Sequence, residues 1–217
     1  TDDGYVYSIA KKKTSTTQGG SSSYYPSYDY DNDKYVPQPN DKKDISEFPF
    51  TDGASDFWGY DGIAYCWQNN IMNGMTGTTF EPETSLSRAM LVTMLYRLAG
   101  SPEVVTTENE WYSAARAWAM NNTISDGTNM NDEITREQLA TMLSRYAAKQ
   151  GVDTSISADL TVFTDAEGIS DWAYTSVSWA VRSGLMNGMG DGTLSPSSGA
   201  TRAQVAAIFM RAADIIK

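Results

Sequence analysis

The sequence predicts a mainly α fold made of three tandem two-helix units, and three observations carry that prediction. The chain repeats itself: Trp58-Gly59-Tyr60, with Ile71-Met72-Asn73-Gly74-Met75 after it, returns 114 positions later as Trp172-Ala173-Tyr174 and Leu185-Met186-Asn187-Gly188-Met189. Each copy holds an apolar stripe at i, i+3, i+4, i+7, the spacing of a helix with one buried face: Leu91, Met94, Leu95, Leu98; Leu139, Met142, Leu143, Tyr146; Val205, Ile208, Phe209, Ala212. Ahead of each stripe stands a natural N-cap, Ser87, Thr135 or Thr201.

Taken in order, residues 1–13 alternate Tyr5, Tyr7 and Ile9 with Val6, Ser8 and Ala10, then reach three lysines, and read as the last strand of a preceding domain. The first residues do not read as a signal peptide, so the chain reads as part of something longer. Residues 14–47 are rich in Ser, Gly, Pro, Asp and Tyr and poor in aliphatics; they cannot bury enough surface to offset chain entropy and read as a linker. Asp29, Asp31 and Asp33 match the first ligands of a calcium loop. Lys34 and Asn40 stand where that loop needs glycine and glutamate, which favours a solvated acidic stretch.

The first unit spans 48–100, the second 101–150 and the third 151–217. Phe50-Thr51-Asp52 opens the first and returns as Phe163-Thr164-Asp165 in the third, while the middle copy runs from Trp111 through Trp118 and Ile124 to Gly127. An earlier helix follows each tryptophan, with Tyr60, Ile63, Ala64, Trp67 and Ile71 on one face in the first copy and Tyr174, Val177, Ser178, Val181 and Leu185 in the third. Gln138 and Gln204 complete capping boxes, and Met90 breaks the box in the first copy. Units this short bury only about 60% of their unfolded surface, so all three should share one core.

Composition excludes several functions. With 16 basic against 27 acidic side chains, a net charge of −11, the chain lacks the dense basic footprint of a nucleic-acid binder. One cysteine, Cys66, and no histidine exclude a disulfide framework, a four-cysteine zinc site and histidine-based hydrolysis, so no metal or other cofactor is expected. No apolar run approaches the length of a membrane span. Cys66 aligns with Ala180 and reads as a small buried residue.

Arg88, Arg136 and Arg202 each follow an N-cap, where the helix dipole makes a cation cost about 0.3–1 kcal/mol. Free backbone N–H groups, the dipole and a guanidinium would together receive a carboxylate or phosphate. An ion pair with Asp52 or Asp165 is the alternative. Arg97, Arg145 and Arg211, nine residues on, read as favourable cations near helix C-termini. Arg116 stands where the other copies have Ile63 and Val177 and reads as a snorkelling side chain or a local shift of packing, with an extra cation in a groove as the alternative. Asn73-Gly74 and Asn187-Gly188, with Asp191 and Gly192 beyond, read as loops beside the arginines; the middle copy has lost five loop residues. Trp58, Trp111 and Trp172 are assigned mainly to packing, although stacking on a sugar keeps Trp58 and Trp172 among the site candidates.

Phe163-Thr-Asp, Trp172-Ala, Asn187-Gly188, Gly190-Asp191-Gly192-Thr193 and Thr201-Arg202-Ala203-Gln204, in a threefold array after a linker, resemble the S-layer homology (SLH) domain family over residues 48–217. That resemblance implies a pseudo-trimeric, three-pronged spindle with a central three-helix bundle. It also implies non-covalent, non-catalytic anchoring of a secreted protein at the cell wall or S-layer. The ligand would be an anionic secondary cell-wall polysaccharide, often carrying pyruvate ketals, or a modified peptidoglycan, held in grooves between prongs. The arginine of the family's motif falls on Arg88, Arg136 and Arg202, with Ser87, Thr135, Thr201, Gln138 and Gln204 beside it. The expectation is that Arg88 and Arg202 line the better grooves and Arg136 a degenerate one. Self-association into a lattice, and a wall-active glycoside hydrolase of which this chain is a part, are the competing readings.

Overall fold

A computed structural model of the chain describes residues 42–216. The expected strand at 1–13, the Asp29–Asp33 stretch and the linker as far as residue 41 lie outside the described residues. At the linker's described end, Ile45–Glu47 forms one 3-10 turn, capped by the Asp44 carboxylate, which accepts from the Ser46 amide at 2.9 Å.

Six helices follow: α1 (Tyr60–Gln68), α2 (Arg88–Leu98), α3 (Ser113–Asn121), α4 (Arg136–Lys149), α5 (Tyr174–Arg182) and α6 (Arg202–Ala212). They stand where the apolar periodicity puts them, two to a copy. At the starts of α2, α4 and α6 the hydroxyls of Ser87, Thr135 and Thr201 accept from the third helical amide at 3.2–3.3 Å. Gln138 and Gln204 return the bond by accepting from the N-cap amide, closing two capping boxes. Met90 cannot, and α2 starts with half a box.

The three copies meet where α2, α4 and α6 begin. Leu86 donates its amide to Ala200, Ala200 to Ile134 and Ile134 to Leu86, at 2.9, 3.0 and 2.8 Å, a closed ring of backbone bonds among three residues with no exposed surface. Each neighbouring segment adds two more carbonyls: Asp132 and Met130 accept from Arg88 and Ala89, Ser198 and Pro196 from Arg136 and Glu137, Thr84 and Pro82 from Arg202 and Ala203. Thus the first three amides of each long helix, groups that a helix leaves orphaned, are all consumed internally. The sequence expectation that these amides are free for a ligand is overturned here.

Packing does not follow the sequence copies. Helix α2 packs on α3, α4 on α5, and α6 closes the circle on α1, so each helix pair joins the second helix of one copy to the first helix of the next. The most buried helices are α2, α4 and α6, which converge at the centre, with α2 and α4 also in contact. Between α4 and α5, the buried Glu137 carboxylate accepts from the Ser170 amide and hydroxyl, each at 2.9 Å. At the α1–α6 seam, Cys66 is buried with its sulfur 3.7 Å from the Ala206 carbonyl, and burial pushes its thiol up. No helix among the described residues is long and apolar enough to cross a membrane.

Gly62 sets how closely α1 approaches α6. A Cβ there would lie 2.6 Å from the Ala207 nitrogen and 2.7 Å from its Cα, backbone atoms that cannot rotate aside. Gly62→Ala should therefore destabilise the fold by about 1–3 kcal/mol despite the better helix propensity of alanine. Urea unfolding checks this: a variant as stable as the parent would mean that the seam gives way without cost.

Candidate functional site

Three grooves open between the helix pairs, built to one plan. Each takes an arginine from the start of one long helix, the turn that follows a short helix, the flank of another long helix with its own arginine, and a tryptophan that precedes a different short helix. The first is lined by Arg202, the Ile71–Met75 turn, Met90, Met94, Arg97 and Trp111, with a volume near 60 Å³. The second, near 320 Å³, holds Arg136, the Leu185–Met189 turn, Gln204, Arg211 and Trp58. The third, near 230 Å³, holds Arg88, Ser125, Asp126, Gln138, Arg145 and Trp172.

Each helix-starting arginine serves the loop of a neighbouring copy, not its own. Arg136 donates Nε to the Leu194 carbonyl and Nη2 to the Asn187 carbonyl, both at 2.8 Å. Arg202 does the same to Phe80 and Asn73, at 2.9 and 2.8 Å, and its guanidinium lies 4.4 Å from the centre of the Phe80 ring. Arg88 donates Nε to the Thr128 carbonyl at 3.1 Å, but its Nη2 meets a carboxylate, Asp126, at 2.9 Å. All three arginines are buried, with at most 8% of their surface exposed. Nη1 of Arg136 and of Arg88 makes no hydrogen bond among the described residues, and both residues line a groove.

The receiving carbonyls are aimed from behind. Asp165 accepts from the amides of Leu194 and Ser195 at 2.8 and 2.7 Å, and Asp52 from those of Phe80 and Glu81 at 2.7 and 2.8 Å. The peptide group that donates to the aspartate is thus followed by the carbonyl that holds the arginine, and the two bonds polarise each other. Immediately after each such carbonyl, Glu81, Asn129 and Ser195 sit in the left-handed region at φ 59°, 51° and 53°. Asp52 and Asp165 therefore act on the arginines through a peptide and form no direct ion pair with them among the described residues. The middle copy has no such aspartate, and Asp126 inside its shortened loop replaces it, accepting from the Thr128 amide at 3.0 Å as well as from Arg88.

Electrostatics separate the grooves. Burial pushes Arg136 down from its usual value while Asp165 pulls it up, and an arginine so placed stays charged at neutral pH. Asp126 is held below the usual carboxylate range, first by the Thr128 amide and then by Arg88, against a partial desolvation that raises it. The Arg88 charge is thus compensated, whereas Arg136 has carbonyls for partners and keeps its net positive charge. The expectation that Arg136 lines a degenerate groove paired each arginine with its own copy's loop; the hydrogen bonds pair it with the next, and the shortened loop falls to Arg88.

Of the residues singled out from sequence, Arg88, Arg136, Arg202, Gln138, Gln204, Asn73, Gly74, Asn187, Gly188, Trp58 and Trp172 line the grooves. Ser87, Thr135 and Thr201 do not: their hydroxyls cap helices at the junction. Asp191 and Gly192 lie exposed at a loop tip, where the Asp191 carboxylate accepts from the Thr193 amide and hydroxyl at 2.9 and 2.7 Å. Gly74 and Gly188 are needed for fit, since a Cβ would stand 2.3 Å from the Phe50 ring or 2.8 Å from that of Phe163. Trp58 and Trp172 are 62% and 55% exposed, which corrects their assignment mainly to packing.

Arg97, Arg145 and Arg211, cations near helix C-termini, also line the grooves. Each donates Nη1 to a carbonyl just after the short helix of its own copy, Ile71, Ile124 or Leu185, at 3.1–3.2 Å. Their threefold recurrence was the signal for this role. Arg116 adds no cation to a groove: it donates to the Gly127 carbonyl at 2.7 Å and pairs through Nη1 with both oxygens of Glu108 at 2.6 and 2.8 Å, bracing the short loop.

The family model of the S-layer homology domain matches residues 49–89 and 162–206. Amylopullulanase of Thermoanaerobacterium thermosulfurigenes is 34% identical over 167 residues, 71% of this chain and 9% of that protein. Exoglucanase XynX of Acetivibrio thermocellus is 32% identical over 165 residues, 71% of the chain and 15% of the relative. A cellulosome-anchoring protein of Acetivibrio thermocellus is 27% identical over 160 residues, 66% of the chain and 35% of the relative. The chain thus spans between 9% and 35% of the length of these relatives, and two of its three copies match the S-layer homology model directly.

The Arg88–Asp126 pair yields a pH signature. A carboxyl depressed in the folded state adds stability that is present above its unfolded value, near 3.9, and is lost as pH falls through the folded one. Because Asp126 is 67% exposed, the contribution should stay below about 1 kcal/mol. Urea unfolding of Asp126→Asn beside the parent should show a small deficit at pH 7 and pH 5 that vanishes only beneath the ordinary carboxylate range; a deficit persisting in strong acid would assign it to packing instead.

Proposed function

We propose that the chain is an extracellular anchoring module of the S-layer homology family, that its middle copy is a divergent repeat of the same kind, and that it holds its protein non-covalently to an anionic cell-wall polymer at the cell surface. Matches to the family model on either side of the middle copy, and the cellulosome-anchoring relative, support the anchoring role. The enzyme-named relatives share with this chain a segment that is a small fraction of their length, so their activities are not carried over to it.

The observation that carries the binding proposal is the Arg136 groove. A carboxylate on a sugar ring, such as a pyruvate ketal of a secondary wall polysaccharide or an acid group on modified peptidoglycan, meets two guanidinium groups there, Arg136 and Arg211. Among the described residues Nη1 of Arg136 has no partner and Arg136 has no neutralising carboxylate bound to it. Charge-assisted bonds to a carboxylate are about twice as strong as neutral ones. The exposed face of Trp58 offers a stacking platform, and the Gln204 side chain a donor. With a net charge of −11 the protein repels an anionic polymer at long range, so attraction has to arise inside the groove. The Arg88 groove, neutralised by Asp126, ranks below it.

Arg211 and Trp58 are exposed and can be replaced without opening the core. Arg211→Gln and Trp58→Ala should each weaken binding to purified wall polymer by roughly tenfold or more, about 1.4 kcal/mol, with unfolding midpoints unchanged. Co-sedimentation of the intact chain with the polymer measures this. Parental affinity in both variants would remove the Arg136 groove from the mechanism. Asp126→Asn should act in the opposite sense, strengthening binding by exposing the charge of Arg88.

A further inference from the structure

The Arg88 groove is walled differently from the other two. Where they have Met72-Asn73 and Met186-Asn187 it has Ser125-Asp126, so the turn that lines it carries a hydroxyl and a carboxylate in place of a thioether and an amide. Ser125 is buried; its hydroxyl accepts from the Gly127 amide at 3.2 Å, and its own hydrogen has no acceptor among the described residues. Asp126 spends one oxygen, Oδ1, on both the Thr128 amide and Nη2 of Arg88, while Oδ2 accepts from no group among the described residues. On the donor side, Nη1 of Arg88 is unused. So is the amide nitrogen of Gln138: the capping box requires Oε1 to accept from the Thr135 amide, which leaves the NH2 group without a partner among the described residues. Trp172, more than half exposed, lines the same groove.

An acid does not fit this set. A carboxylate received by Nη1 of Arg88 would stand beside the Asp126 carboxylate already held by Nη2 of the same guanidinium, and like charges so placed repel. Asp126 is ionised at neutral pH, because the Thr128 amide and then Arg88 hold it below the usual range. Arg145 remains as a cation, but it is exposed and its charge is shared with water. What suits the groove is a group that donates to one carboxylate oxygen and accepts from neighbouring N–H groups at the same time. Adjacent hydroxyls on a pyranose ring do both. The apolar face of such a ring stacks on an exposed indole.

We propose that the Arg88 groove binds an uncharged hexopyranose through adjacent hydroxyls, which donate to Asp126 Oδ2 and accept from Arg88 Nη1 and the Gln138 amide nitrogen while the ring lies on Trp172. The proposal rests on the anchoring reading in one respect, that the ligand is a sugar of the wall polymer: the Arg136 groove takes an acidic residue of that polymer and the Arg88 groove a neutral one. Two modest contacts to one polymer chain then reinforce each other, since the first raises the effective concentration for the second. Asp126 is the residue that sets what this groove accepts. Asparagine there keeps an oxygen for the Thr128 amide and Arg88 but puts a donor in place of Oδ2, which turns the groove from neutral sugars to acids and accounts for the gain in polymer binding expected of Asp126→Asn.

The indole N–H resonances of Trp58 and Trp172, assigned in the intact chain by their loss in Trp58→Ala and Trp172→Phe, report on the two grooves separately. The probes are the uncharged methyl glycosides of glucose, mannose, galactose and their N-acetylamino counterparts, with the methyl glycoside of glucuronic acid as the acid. At least one uncharged glycoside should shift Trp172 at millimolar concentration and leave Trp58 in place, and the glucuronide should shift Trp58 without moving Trp172. Asp126→Asn should weaken the uncharged glycoside at Trp172 by roughly tenfold or more, through loss of a hydrogen bond to an ionised acceptor, and should bring Trp172 under the glucuronide. No movement of Trp172 with any uncharged glycoside, or a response that Asp126→Asn leaves unchanged, overturns the proposal. A glucuronide that fails to move Trp58, beside an uncharged glycoside that moves Trp172, defeats the Arg136 reading and sustains this one.

Discussion

The structure depends on a buried arginine at the head of each long helix reaching across to the carbonyls of another copy's loop. A cation at that position opposes the helix's own dipole. Here it is tolerated because the first helical amides are already bonded to a neighbouring segment and because carbonyl oxygens gather round Nε and Nη2. Using carbonyls as partners has a second effect. At Arg136 they satisfy the hydrogen-bonding demand of a buried guanidinium without neutralising it, so one side chain both fastens two copies together and supplies the positive field of a groove.

Small changes in the loop that receives the arginine then decide what each groove is. In the first and third copies an aspartate behind the loop aims a peptide at the arginine, at a distance from the guanidinium itself. Loss of five residues from the middle loop removes that arrangement, and Asp126 does the aiming from within the loop, in direct contact with Arg88. The same deletion is braced by Arg116 and Glu108, a pair that has no counterpart in the other copies, where Ile63 and Val177 are fully buried. Geometry is preserved at the cost of local charge.

Much of this was legible in the sequence. Six helices, their N-caps and the two capping boxes follow from local rules that act within a few residues, and they stand where periodicity puts them. What sequence could not supply was partnership. Pairing each arginine with its own loop is the natural reading of a linear repeat, and it misassigned the altered loop to Arg136 because the packing is offset by half a copy. The free amides were misjudged for the same reason: the segments that occupy them come from 41 to 121 residues away. Arg97, Arg145 and Arg211 recur as regularly as the residues at the helix starts, but the helix-end dipole offers them a sufficient local explanation, and the turns they also touch lie 21 to 26 residues upstream in the same copy.

Because α6 completes its pair with α1, the last helix of the array relies on the first for its apolar partner. No copy is a self-contained block, and two copies without the third would leave two unmated half-pairs. A hinge that opened between the first copy and the rest would present α6 with a seat that another molecule's α1 fits as well as its own. Threefold closure in one chain is thereby also a template for exchange between chains, and Gly62, where the two backbones come closest, is the latch that such an exchange would have to undo and remake.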